Sequence, residues 1–299
     1  MKKIVLLCSV ALFSMQAHAV SITMEGDYIK TAVSDDGTLG YGGTTTPGIQ
    51  HDAAGTGSFG VDDYLTPGAP HEGFSVSSDQ TGVIANDNHG SDAMTGTLTD
   101  TSGSSSYDQS VNWLTTYSDL FTMSMDTFFN DGDERISMST TITALSDLTN
   151  LEFSRWLDPD PDVNTFGSYD TVNGRGYGDL AAEDWVHSEG TETGLTIGLY
   201  STSDTYHNTG ISSGWSEDPS FYLSGQNDGN GDYTIGLAFL IGELFTGQSV
   251  TLDYSYIMGD SLASVDIPSE VPVPAALFMF APALLGFMGF RRRAKNLAA

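Results

Sequence analysis

The chain predicts an all-β protein: a single antiparallel β-sandwich body, preceded by a signal peptide and followed by one transmembrane helix. Three observations predict it. Between the ends, apolar residues recur with period two and almost never with the 3.6 period of a helix. The alternating runs are separated by Gly- and Asp-rich turns with no intervening helical stretch, which favours packed antiparallel sheets over a helix-covered parallel sheet. Long charge-free apolar runs occur only at the termini. The expected boundaries are 1–19, 20–270 and 271–299.

The N-terminus carries a basic Met1-Lys2-Lys3, an apolar core from Ile4 to Phe13 and a small-x-small cleavage site at Ala17-His18-Ala19. Cleavage after Ala19 leaves a mature chain starting at Val20. Cys8, the single cysteine, lies inside the apolar core, so the mature chain has no disulfide and no thiol nucleophile. The implied export machinery is the Sec translocon with signal peptidase.

In the body, Val20 to Met24 opens as a strand and Asp35-Asp36-Gly37 as a turn. Residues 37–73, rich in Gly, Thr and Pro, read as a long surface loop, with Phe74 to Val76 a short strand after it. The clearest signal follows. Phe121, Met123 and Met125, with Phe129 in phase, present one apolar face. After the turn Asn130-Asp131-Gly132-Asp133, Ile136, Met138 and Ile142 repeat it, so a β-hairpin is predicted. Further strands are read at Leu151–Leu157, Leu195–Leu199, Tyr233–Ile241 and Val250–Met258. No internal repeat or linker interrupts them, and one domain is the simpler arrangement.

The tail enters through Val271-Pro272-Val273-Pro274, where each proline keeps the preceding residue out of a helix. Ala275 to Phe290 is apolar and uncharged, and Arg291-Arg292-Arg293 with Lys295 closes it. Sixteen to eighteen helical residues reach about 24–27 Å, the low end for a bilayer core. The positive-inside rule keeps the basic cluster cytoplasmic and leaves the body outside. This tail resembles the PEP-CTERM sorting signal of Gram-negative bacteria: a Pro motif at Val271 to Ala275, an apolar helix, and the Arg291–Arg293 cluster, in that order. Val273 stands where the motif's name puts Glu. The resemblance implies an exosortase-type sorting enzyme as partner, transient anchoring in the inner membrane, and delivery to the cell surface or extracellular matrix. A plain single-span anchor is the alternative.

The sequence holds 39 acidic and 10 basic residues. Six of the basic ones lie in the terminal signals, leaving Lys30, Arg135, Arg155 and Arg175 in the body and a formal body charge of −35. Such a field repels nucleic acid, which is excluded as a partner, and self-repulsion destabilises the fold unless salt or cations offset it. Alternating oxygens at Asp158, Asp160, Asp162 and Asn164, with Asp170 nearby, suit a hard cation, and Ca2+ is the candidate cofactor. An EF-hand is excluded, because Val163 and Tyr169 occupy its Gly and Glu positions. The competing reading is an acidic turn whose Asp side chains cap backbone amides. Asp228, Asn230 and Asp232 form a second candidate, equally a hairpin turn. Leu151 to Asp162 also resembles a strand-plus-acidic-loop stretch in β-sandwich modules of uncharacterised bacterial surface proteins, a resemblance that carries no activity.

Enzyme signals are poor. Gly210-Ile211-Ser212-Ser213-Gly214 matches G-x-S-x-G without a strand-to-helix context, and Gly55 to Gly60 matches G-x-G-x-x-G without opening a helix. His51, His71, His89, His187 and His207 show no zinc spacing. Glu183-Asp184-Trp185 sets carboxylates beside an aromatic, as a sugar site would; Trp113, Trp156, Trp185 and Trp215 are equally core residues. The expected function is therefore that of an exported, surface-sorted protein with a non-enzymatic structural or binding role. The alternative is a carbohydrate-binding or glycoside hydrolase-like secreted protein that meets extracellular polysaccharide.

Overall fold

The computed structural model describes residues 21–41, 46–66, 71–265 and 267. The signal-peptide, Pro-motif and Arg-cluster expectations at 1–19 and 271–299 lie outside the described residues. Among the described residues no helix is long and apolar enough to cross a membrane.

The strands run in chain order as β1 (Ile22–Glu25), β2 (Ile29–Val33), β3 (Ile49–His51), β4 (Glu72–Ser78), β5 (Gly82–Asp87) and β6 (Gly96–Asp100). Then come β7 (Gln109–Tyr117), β8 (Phe121–Phe129), β9 (Arg135–Ala144) and β10 (Leu148–Leu157). After a one-turn helix α1 (Val163–Phe166) follow β11 (Thr171–Arg175), β12 (Trp185–Gly190), β13 (Thr196–Tyr200) and β14 (His207–Ser212). The helix α2 (Pro219–Leu223) precedes β15 (Thr234–Leu244) and β16 (Ser249–Gly259). Every pairing between these strands is antiparallel.

Three sheets result: β1-β2-β3, the five-stranded β14-β15-β10-β4-β5, and the eight-stranded β11-β12-β13-β16-β9-β8-β7-β6. The two larger sheets face each other across one core. Phe74, Phe153 and Phe239 from the smaller sheet meet Trp113 and Tyr254 from the larger, with Phe74–Trp113, Phe153–Tyr254 and Phe239–Tyr254 centroids 5.5, 5.9 and 6.0 Å apart. The predicted hairpin is present as β8 and β9, and its alternation is literal: Phe121, Met123, Met125, Thr127 and Phe129 are buried while residues between them are not.

A buried polar cluster crosses this core. Arg155 of β10 pairs with Glu72 at the start of β4, both wholly buried. Tyr256 of β16 donates to Glu72 Oε1 at 2.6 Å and accepts from Arg155 Nε at 2.9 Å, tying the sheets together. The Leu39 amide fills Glu72 Oε2 at 2.6 Å. The outer face of the five-stranded sheet carries Trp156 and is covered by α2 through Tyr222. Gly236 permits that approach, since a Cβ there would sit 2.4 Å from the Tyr222 ring.

One expectation about local structure changes. Residues 37–73 include β3, whose Ile49 is fully buried, so this stretch is partly woven into the fold. Polar residues also enter the fold in β5, where Asn86 is buried and donates its amide to the Met94 and Asp36 carbonyls. A buried amide with all its bonds made substitutes for an apolar residue there, and hides the strand from pattern reading.

Candidate functional site

An open cleft of about 560 Å3 lies beside β14, lined by Arg175, Ala182, Glu183, Ser203, Asp204, Thr205, Tyr206, His207 and Asn208. Two of its lining side chains are held by hydrogen bonds. Arg175 ends β11 and spreads its guanidinium over three neutral acceptors: Thr209 Oγ1 at 2.9 Å, the Gly225 carbonyl at 2.7 Å and Asn208 Oδ1 at 2.5 Å. Partial burial lowers its pKa, opposed by the Glu183 carboxylate. Three donors are spoken for and no carboxylate is bonded to it, so the guanidinium retains N–H groups for an incoming oxygen. His207 is fixed at both nitrogens: Nδ1 faces the Thr205 carbonyl at 2.8 Å and Nε2 the Asp184 carboxylate at 3.0 Å. Both partners only accept, so both bonds form together only when each ring nitrogen carries a proton.

In the same lining Tyr206 is 62% exposed, Glu183 and Asp204 are solvent-facing, and Ser203 and Thr205 add hydroxyls. An exposed aromatic face beside a guanidinium, carboxylates and hydroxyls is equipped for a polyhydroxylated ligand: the ring covers apolar C–H faces, and charged groups bond hydroxyls. Of the residues marked in the sequence, Glu183 lines the cleft and Asp184 orients its histidine, while Trp185 is buried in β12. Arg175 and Tyr206 carried no signal of their own.

The acidic stretches divide. Asp158 and Asp160, beyond the end of β10, meet Asp232, just before β15, with one carboxylate oxygen of each within 4.8 Å of the others. This cluster could hold a metal ion. Burial and the neighbouring Asp160 push Asp158 up to about 9, and burial and Asp232 push Asp160 up to about 8. The remaining residues are placed elsewhere. Asp162 accepts from the Glu192 and Thr193 amides at 2.8 and 3.1 Å. Asn164 donates to the Thr66 carbonyl, Asp228 holds the Ser213 amide, and Asn230 accepts from the Asn173 amide. The Asp170 carbonyl takes the Thr191 hydroxyl at 3.4 Å.

Beside the cluster, His71 is sandwiched between Trp156 and Trp215, with ring centroids 4.3 and 5.2 Å away. Burial lowers its pKa to about 4. Trp215 holds a left-handed backbone with φ 52°, which costs a bulky residue on the order of 1–3 kcal/mol. Its indole donates to the Asp232 carbonyl at 3.1 Å.

No family model matches the chain, and no curated protein matches it. Solved structures do. The GalM/aldose epimerase homologue from C. elegans is similar over 81% of this chain and 100% of its own, at 9% identity and TM-score 0.42. An alpha-mannosidase from Enterococcus faecalis V583 is similar over 79% of this chain and 29% of its own, at 10% identity and TM-score 0.41. A heparan sulfate lyase from Pedobacter heparinus is similar over 84% of this chain and 37% of its own, at 6% identity and TM-score 0.41. These likenesses transfer no residue and no substrate. The names they carry are those of carbohydrate-directed proteins, which run against the expectation of a non-enzymatic structural or binding role; at TM-scores of 0.41–0.42 they carry no argument for a particular role of this chain.

Proposed function

We propose that the protein is carbohydrate-active and that its saccharide site is the cleft of Arg175, Glu183, Tyr206 and His207. The observation that carries this reading is the combination in one open cleft of a 62% exposed aromatic ring, a guanidinium without a bonded carboxylate, and solvent-facing carboxylates. The volume, about 560 Å3, falls within the roughly 300–1,000 Å3 range of small-molecule sites. Glu183 is the group placed to exchange a proton with a bound sugar, and the Asp184–His207 pair holds the adjoining wall. The test is incubation with a panel of oligo- and polysaccharides, followed by proton NMR of the anomeric region. Spectral change with the parent chain that disappears in Glu183→Gln and Arg175→Ala supports the assignment. Change that persists in both variants places the chemistry elsewhere.

Calcium is the cofactor in this reading, held where acidic turns converge. We also assign the terminal segments to export through the Sec translocon, cleavage after Ala19, and exosortase-type sorting by the Val271–Ala275 motif with Arg291 to Arg293, with extracellular polysaccharide as the partner met there. Intact-mass measurement of envelope and culture fractions tests this. A chain beginning near Val20 and ending before Arg291 is expected, and a mature chain that keeps the arginines indicates a simple anchor.

A further inference from the structure

Asp158 and Asp160 are each only 2% exposed. Asp158 and Asp232 lie close enough to share a proton, but when ionised the Oδ1 atoms of Asp158, Asp160 and Asp232 find no donor, and Asp160 has no side-chain partner in either state. Orphaned carboxylate oxygens at this depth are costly, and three like charges at this spacing cannot all ionise in a site shielded from water. No basic side chain among the described residues pairs with them. Among the described residues the ion pairs join Glu25 to Lys30, Glu72 to Arg155, Glu134 to His51 and Asp184 to His207. The other titratable groups acting on the cluster are Asp170, which acts on Asp232, and the Tyr222 hydroxyl of α2, which feels Asp158. Neither brings positive charge. Protons or a cation must therefore fill the space between the carboxylates. The donor set is oxygen alone, which selects a hard ion over zinc or copper.

The position of the cluster gives such an ion a task. Asp158 and Asp160 belong to the loop leaving β10, whereas Asp232 ends the segment between β14 and β15. That segment carries Trp215, whose indole is bonded to the Asp232 carbonyl and whose ring covers His71. It also supplies the Gly225 carbonyl that anchors Arg175 and the Leu223 carbonyl that anchors Asn208 at 2.9 Å, both cleft residues.

We propose that Asp158, Asp160 and Asp232 bind one calcium ion that fastens the 213–232 segment to the end of β10, and with it the Arg175 wall of the cleft. This rests on the calcium reading above and adds what the ion does.

The test uses the full-length chain stripped with chelator and titrated with Ca2+ alone. Calorimetry reads binding, and hydrogen exchange reads the amides of 213–232. At a hundredfold excess over the dissociation constant, opening that releases the ion becomes about 100-fold rarer, so exchange through that opening slows by the same factor. Asp160→Asn with Asp232→Asn should abolish both signals. Should those variants fail to fold, Tb3+ luminescence excited through tyrosine and tryptophan in the parent chain serves instead, with displacement by Ca2+ expected. Absence of Ca2+ binding and of displaceable Tb3+ emission overturns the calcium reading and the inference together. Binding with unchanged exchange in 213–232 overturns the inference alone. Binding that survives in folded double variants overturns the assignment of the ligands.

Discussion

Replacing Arg155 with Met should be among the most damaging single changes in this protein, and its pH dependence should identify the cause. Glu72 would keep two donors, the Tyr256 hydroxyl and the Leu39 amide, but lose the counter-charge of Arg155 in a fully buried position. Removing one partner of a buried pair costs about 3–5 kcal/mol, and a body of this size loses about 2–4 °C of Tm per kcal/mol. The expected fall is therefore about 6–20 °C. Burial already raises the Glu72 pKa, partly opposed by Arg155. Without the arginine, the folded protein keeps that proton while the unfolded chain releases it above the ordinary carboxylate range. Stability of Arg155→Met should thus decline further from pH 5 to pH 8 relative to the parent. Glu72→Gln should cost at least as much, because a guanidinium cannot shed its charge. Urea unfolding at the two pH values measures all three proteins. A loss below about 1 kcal/mol for Arg155→Met, or a pH dependence equal to the parent's, would refute the claim that this pair is a desolvated ion pair.

Three further outcomes follow from the same structure. Calcium-free protein should lose stability as pH rises from about 4 towards 8–9, because folded Asp158 and Asp160 keep protons that the unfolded chain has released; saturating Ca2+ should remove that decline, as thermal scans can show. His71, lowered to about 4 by burial, stays neutral in the fold, so it costs stability as pH falls from about 6.5 towards 4; His71→Phe should flatten this acid limb by up to about 1.4 kcal/mol per pH unit in urea titrations. Tyr206→Ala should weaken saccharide binding about tenfold by calorimetry while leaving Tm unchanged, since the ring is largely exposed and loses stacking alone.

How much was legible in the sequence follows from burial. The β8–β9 hairpin and β16 each bury one side in strict or near-strict alternation, and alternation is what a sequence displays. In β12, Trp185, Val186, His187 and Ser188 are buried consecutively, and β14 ends in four buried residues, so neither shows a period to read. The acidic cluster was half legible. Asp158 and Asp160 stand out by spacing, and Asp232 belongs to what reads as a separate turn. Antiparallel pairing of Leu157 with Ile235 brings one loop against the other, a relation no local pattern contains. The cleft was least legible, because Arg175, Glu183, Tyr206 and His207 come from three separate stretches joined by sheet order alone.

Glycan-array binding of the purified chain, with and without Ca2+, decides whether the Arg175–Tyr206 cleft takes a saccharide. A defined set of bound glycans is expected for the parent chain, with their loss in Arg175→Ala with Tyr206→Ala. Binding to no glycan under either condition, or an unchanged profile in a folded double variant, would overturn the assignment of the cleft.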